Sequence, residues 1–194
     1  IGASTGAVVA LTSPTAMKEP YNWAAVLKHE LVHVFTLQQT KYKIPHWFTE
    51  ALAVRSEGKA RPQRFNQLLV ERVPQGEIYS LDELDSVFVR PKSSDNWNFA
   101  YCQSLLCADF MVEEFGTDAL KKLLTAYQNQ HSTPNAIQES FQIDQNEFEK
   151  RYHRYLEKLT ATLKGYRPPS PLSFRELQKQ HEQNPNNLNI AGQY

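Results

Sequence analysis

His29, Glu30 and His33 stand in the order His-Glu-Leu-Val-His. On a helix, residues four apart share one face, so both imidazoles can reach a single metal ion. Glu30 is offset by one position and sits near that metal without being forced to bind it. A carboxylate so placed can take a proton from a water held by zinc. The bland alternative is a pair of core histidines satisfied by hydrogen bonds.

The element that must carry this motif is a helix. Residues 22 to 40 contain neither Gly nor Pro, Pro20 precedes them, and Asn22 is suited to cap the first turn. Trp23, Val26, Leu27, Leu31, Val34, Phe35 and Leu37 recur at roughly helical spacing, which predicts a mostly buried helix. Two histidines and a glutamate in such a helix are costly without partners, and a metal supplies one.

A catalytic zinc site takes three protein ligands and leaves one position for water. A second apolar segment follows from Ile44 to Val54, with Pro45 marking a helix start and Glu50 its one acid. Ligation of the metal gives a buried Glu50 its reason. The rival readings are a Glu50 at the surface end of a core helix, or His46 as the ligand. His46 precedes the helix, which places it at the solvent end. The expected cofactor is Zn²⁺, about one per chain, on His29, His33 and Glu50.

The motif His-Glu-x-x-His, followed by Trp47-Phe48-Thr49-Glu50-Ala51-Leu52-Ala53, resembles the gluzincin metallopeptidases, the broad group of thermolysin and aminopeptidase N. It is more closely similar to the bacterial peptidase MA-like group often joined to tetratricopeptide repeats. The resemblance covers roughly residues 2 to 160. It implies a peptide or protein substrate, zinc ligands at His29, His33 and Glu50, and a general base at Glu30. It also implies a strand over Gly6–Leu11 that holds substrate backbone as an added strand. Tyr101, near the start of a later helix, matches a tyrosine whose hydroxyl contacts the oxyanion. Plain core packing is the other reading of Tyr101.

Three departures qualify the resemblance. Sixteen residues separate His33 from Glu50, so the connecting loop must be tight. Val54 stands where thermolysin has an Asp that orients a zinc histidine, so such a partner must come from elsewhere. Residues 2 to 9 hold no acid to grip a free amine, which weakens an aminopeptidase reading and favours an endopeptidase or an enzyme of unknown end preference.

The expected fold is mainly α with a small β remnant: a gluzincin-like helical domain over 1–165 behind an N-terminal edge strand. Helices are expected over 62–73, from a Ser80–Glu83 capping box to about Phe88, and from Asn98 to Phe115 after a polar loop at 90–96. Others follow over 117–130, after Pro134, and from Asp144 to about Gly165. The Pro-rich stretch 166–172 reads as a stiff linker. Residues 173–194 read as the start of a tetratricopeptide-like repeat, a surface for protein partners. The chain begins with Ile1 almost directly on a strand, so upstream strands of a longer protein are expected.

Composition sets further bounds. The 194 residues carry 21 basic and 21 acidic side chains, which gives nucleic acid or anionic membrane no support as partners. No apolar run approaches the ~20 residues of a membrane span. Cys102 and Cys107 read as free, small core residues, and free thiols lean towards a reducing cytoplasm. The resemblance leans to the bacterial envelope. Two non-peptidase readings complete the field. One is a catalytically silent scaffold with a vestigial zinc site. The other is a di-iron centre, which needs a second Glu-x-x-His that the chain lacks.

Overall fold

The computed structural model describes residues 1–19 and 21–163 and the helix Phe174–Gln183. Two short strands, β1 (Gly2–Ser4) and β2 (Val9–Leu11), pair antiparallel with Ala3 opposite Ala10. The expected single strand over Gly6–Leu11 is therefore a hairpin arm preceded by its turn. Gly6 sits at φ +82 in a Gly-Ala loop, a conformation that glycine adopts freely. A side chain there would also strike the Tyr42 ring at 2.9 Å.

The motif helix α1 (Trp23–Gln39) begins where Asn22 accepts a hydrogen bond from the Ala25 amide. It is not mostly buried. Ala25, Glu30, His33 and Thr36 face inward, whereas Trp23, Leu31 and Phe35 are exposed, Phe35 to 66%. The helical period is as read, but the buried stripe is the polar one.

The connection to α2 (His46–Ser56) is as tight as the spacing demands. The chain reverses through Lys41 and Tyr42, both left-handed at φ 51 and 62. Neither is glycine, so each stores some strain. The Tyr42 amide reaches back to the Leu37 carbonyl at 2.7 Å, and the Thr40 hydroxyl bonds the Thr36 carbonyl at 2.7 Å. Buried Ile44 then anchors the exit.

Six further helices build the body that holds α1 and α2: α3 (Gln63–Arg72), α4 (Leu81–Val89), α5 (Ser94–Phe115), α6 (Ala119–Gln128), α7 (Thr133–Phe141) and α8 (Gln145–Thr162). The fold is mainly α. Phe65, Leu68, Leu69 and Val73 face inward as the α3 pattern predicts, and Ser80 with Glu83 forms the expected capping box. Helix α5 starts earlier than Asn98, because the Ser93 hydroxyl accepts from the Asn96 amide and caps it. It stops at Gly116, φ +91. Cys102 and Cys107 lie on α5 as free, buried core residues.

Helices α2 and α5 pack against each other through the core, where Trp47, Phe48 and Ala51 meet the α5 residues Phe99, Cys102 and Leu106 as one apolar cluster. Gln103, fully buried on α5, bonds both the amide and carbonyl of Tyr79 at 3.0 and 3.1 Å. Helix α9 (Phe174–Gln183) falls within the expected repeat, while the 166–172 linker and the turn at 184–189 lie outside the described residues. Among the described residues no helix is long and apolar enough to cross a membrane.

Candidate metal centre

Helix α1 presents His29 and His33 one turn apart, and α2 brings Glu50 against them. Their Nε2 atoms are 3.1 Å apart, and Glu50 Oε2 lies 3.4 Å from His29 Nε2 and 3.6 Å from His33 Nε2. Ligands of a tetrahedral zinc, bound at about 2.0–2.1 Å, stand about 3.3–3.4 Å from one another. The triangle therefore has the size that zinc needs. These three are the metal-competent group found among the described residues.

The donors also face the right way, because each one is held from behind. His29 Nδ1 donates to Glu57 Oε1 at 2.9 Å, which leaves Nε2 turned towards Glu50. His33 Nδ1 lies 2.8 Å from Thr49 Oγ1, and Thr49 Oγ1 lies 2.8 Å from Thr36 Oγ1. Thr36 donates on to the Val32 carbonyl at 2.8 Å. That terminal acceptor sets the direction of the chain: Thr36 gives its proton to Val32, Thr49 to Thr36, and His33 Nδ1 to Thr49. The unprotonated nitrogen of His33 is then Nε2, the one in the triangle. On Glu50, His46 Nε2 lies 3.3 Å from Oε1.

Glu50 is 5% exposed, and its Oε2 has no hydrogen-bond partner in the protein. A buried carboxylate oxygen without a hydrogen bond, aimed at two imidazole nitrogens, is suited to share a cation with them. Without one, the charges sort themselves. Burial opposes a charge on His29, but Glu50 and Glu57 outweigh it and push the pKa up to about 9. Burial would raise Glu50, yet His29, His46 and His33 hold it down at about 2. Burial keeps His33 below the usual imidazole range, in its neutral, ligating form.

Glu30 is buried on α1 just beside the triangle, under β1. Burial raises its carboxyl above the usual range, with His29 pulling the other way. The hairpin passes so close that a Cβ on Gly2 would meet Glu30 Oε1 at 2.5 Å and Val26 Cγ1 at 2.7 Å. Only glycine fits there without displacing the carboxylate. Tyr101, on α5, is wedged edge-on between Phe88 and Trp97, each ring 5.1 Å away. Burial, then the charges of Glu50 and Glu30, push its hydroxyl far above the usual range, so it remains a proton donor.

The structure thus brings together the expected residues and separates the rivals. His46 opens α2 and is 45% exposed; it touches Glu50 on the outer oxygen and stands outside the triangle. Glu57, just past the end of α2, is the residue that sequence reasoning missed. The place four residues after Glu50 is Val54, but the place seven after, two helical turns on, shares the same face. That spacing was available as a signal.

His29, His33 and Glu50 thus form a largely buried group whose ligand atoms lie within 4.8 Å of one another and could hold a metal ion. Residues 15–158 match the Peptidase MA superfamily, and the chain belongs to that family. No curated protein and no solved structure matches the chain.

Proposed function

We propose that this domain is a zinc metallopeptidase in which His29, His33 and Glu50 hold the metal and Glu30 is the general base. The observation that carries the reading is the buried Glu50 oxygen, unpartnered and aimed at two imidazole nitrogens whose outer nitrogens are already committed. A zinc ion there would supply Lewis acidity, polarising a substrate carbonyl and acidifying a water.

The chain's own residues supply the rest. Glu30, with its pKa raised by burial, is suited to accept a proton and return it to the leaving amine. Tyr101 keeps its proton and can donate a hydrogen bond to the charge that develops on the carbonyl oxygen. Glu57 and Thr49 prevent the two imidazoles from rotating, so the coordinating nitrogens are prepared before metal arrives.

Elemental analysis of protein purified without chelators should find about one zinc per chain, lost in Glu50→Ala. Glu30→Gln should retain the zinc and lower hydrolysis of an unspecific peptide library by about 100-fold or more. Absence of zinc uptake, or parental turnover in Glu30→Gln, would overturn the proposal.

A further inference from the structure

We propose that the cavity on the Tyr101 side of the metal centre receives one apolar side chain of the peptide substrate, a reading that rests on the metallopeptidase function proposed above. The cavity holds about 290 Å³. That lies just below the roughly 300–1,000 Å³ of pockets that enclose whole small ligands, and it suits a single side chain. Val54, Ala60, Pro62, Phe65, Trp97 and Leu105 line it with apolar surface, and His29, Tyr101, Glu57 and Lys59 complete the lining. A group seated there is therefore next to the reacting bond.

The two charged lining residues decide the chemistry. Glu57 accepts from His29 Nδ1 at 2.9 Å through Oε1, and its Oε2 pairs with Lys59 Nζ at 3.0 Å. Both charges are already engaged. A substrate carboxylate would have to draw Lys59 away from Glu57, and a substrate ammonium would compete with His29 for the same carboxylate. An aliphatic or aromatic side chain disturbs neither and covers apolar wall. Trp97 is 44% exposed and held edge-on by Tyr101 at 5.1 Å, so it offers a fixed aromatic surface.

Other hollows lack this combination. A depression of about 740 Å³ around Tyr79, Glu83 and Arg90 includes no residue of the centre. One of about 450 Å³ reaches His46 but is lined by Lys43, Asp85 and His131.

The test measures zinc stoichiometry and hydroxamate binding on the same zinc-supplemented protein by calorimetry. Two series of peptide hydroxamates carry Leu, Phe, Ala, Asp or Lys on one side or the other of the chelating group. In at least one series, Leu and Phe should bind about 10- to 100-fold tighter than Asp and Lys. Ala60→Trp, in an exposed stretch of chain, should abolish that preference while leaving the zinc content unchanged. Ala60→Leu, the milder change, should reduce it in the same sense and serves as the test where Ala60→Trp fails to fold. Zinc bound with equal affinity for all side chains in both series, or a preference unchanged in both variants, refutes the pocket and leaves the peptidase reading standing. Failure to bind zinc at all refutes that reading, and the pocket with it.

Discussion

The seam between α1 and α2 and the aromatic cluster between α5, α7 and α8 are both buried, yet they are held by opposite means. In the cluster, Phe110, Phe115, Phe141, Phe148 and Tyr152 stack and tilt at centroid distances between 4.3 and 6.2 Å. Burial and dispersion act there in every direction, and no single atom decides the arrangement. In the seam, Glu30, His33, Thr36, Thr49 and Glu50 are buried together, and each contact runs between named donors and acceptors. The first region stores stability. The second stores orientation, because each bond fixes one named atom against another.

The largest expected effect tests the first half of that contrast. Phe148→Ala should destabilise the fold by about 3–5 kcal/mol, the usual result of emptying a fully buried aromatic site. Chemical denaturation would read it, and zinc affinity of the folded protein should hold near its parental value. A selective loss of zinc affinity without loss of stability would break the distinction between the two regions.

A smaller effect tests the seam. Glu57→Gln retains size and a hydrogen-bonding oxygen but removes the charge behind His29. Zinc affinity should fall by about 10- to 100-fold, as for outer partners of metal histidines elsewhere. Competition with a chromophoric chelator would measure it. An unchanged affinity would show that the Glu57 contact is incidental, and orientation would then rest on packing in the seam as well.

The smallest effect is in pH, and it concerns the metal-free protein. Folding raises His29 from 6.5 to about 9, so the stability this provides is complete below pH 6.5 and is lost as pH rises through about 9. Folding lowers Glu50 from 4.5 to about 2, so its contribution is complete above pH 4.5 and is lost as pH falls through about 2. Both are present between pH 4.5 and 6.5. Moving metal-free protein from pH 6 to pH 9.5 should therefore lower Tm by several degrees. Saturating zinc should remove that drop, since the metal takes the place of the His29 proton. A drop of equal size with and without zinc would place its cause outside the seam.

Much of this contrast was legible in the residues. The Asn22 cap, the Ser80–Glu83 box, the Gly116 stop and the inward face of α3 are local devices, and each acts through contacts a few residues apart. The grouping of His29, His33 and Glu50 was legible too, since His29 and His33 belong to one helix and Glu50 is the single acid of the next. What misled was hydrophobicity. The apolar period of α1 promised a buried helix, yet Trp23, Leu31 and Phe35 lie outside and the polar face lies inside. A helical period specifies that residues share a face and not which face the rest of the chain will cover.

The six residues Gly6–Leu11 misled differently. Their β-branched and small side chains suit a strand, but Gly6 turns the chain and commits Val9–Leu11 to pair with Gly2–Ser4. Sequence by itself therefore determined the helices, their caps, the four residues Glu30, His29, His33 and Glu50, and the tight loop their spacing required. Only the tertiary structure decided what stands behind them: Glu57 on His29, the Thr49–Thr36 relay on His33, Gly2 against Glu30, and the apolar cavity beside Tyr101. The reason is distance along the chain. Caps and periods are set by neighbours in sequence, whereas His29 meets Glu57 across 28 positions and His33 meets Thr49 across 16. Such partners become neighbours only when α1, α2 and α5 pack.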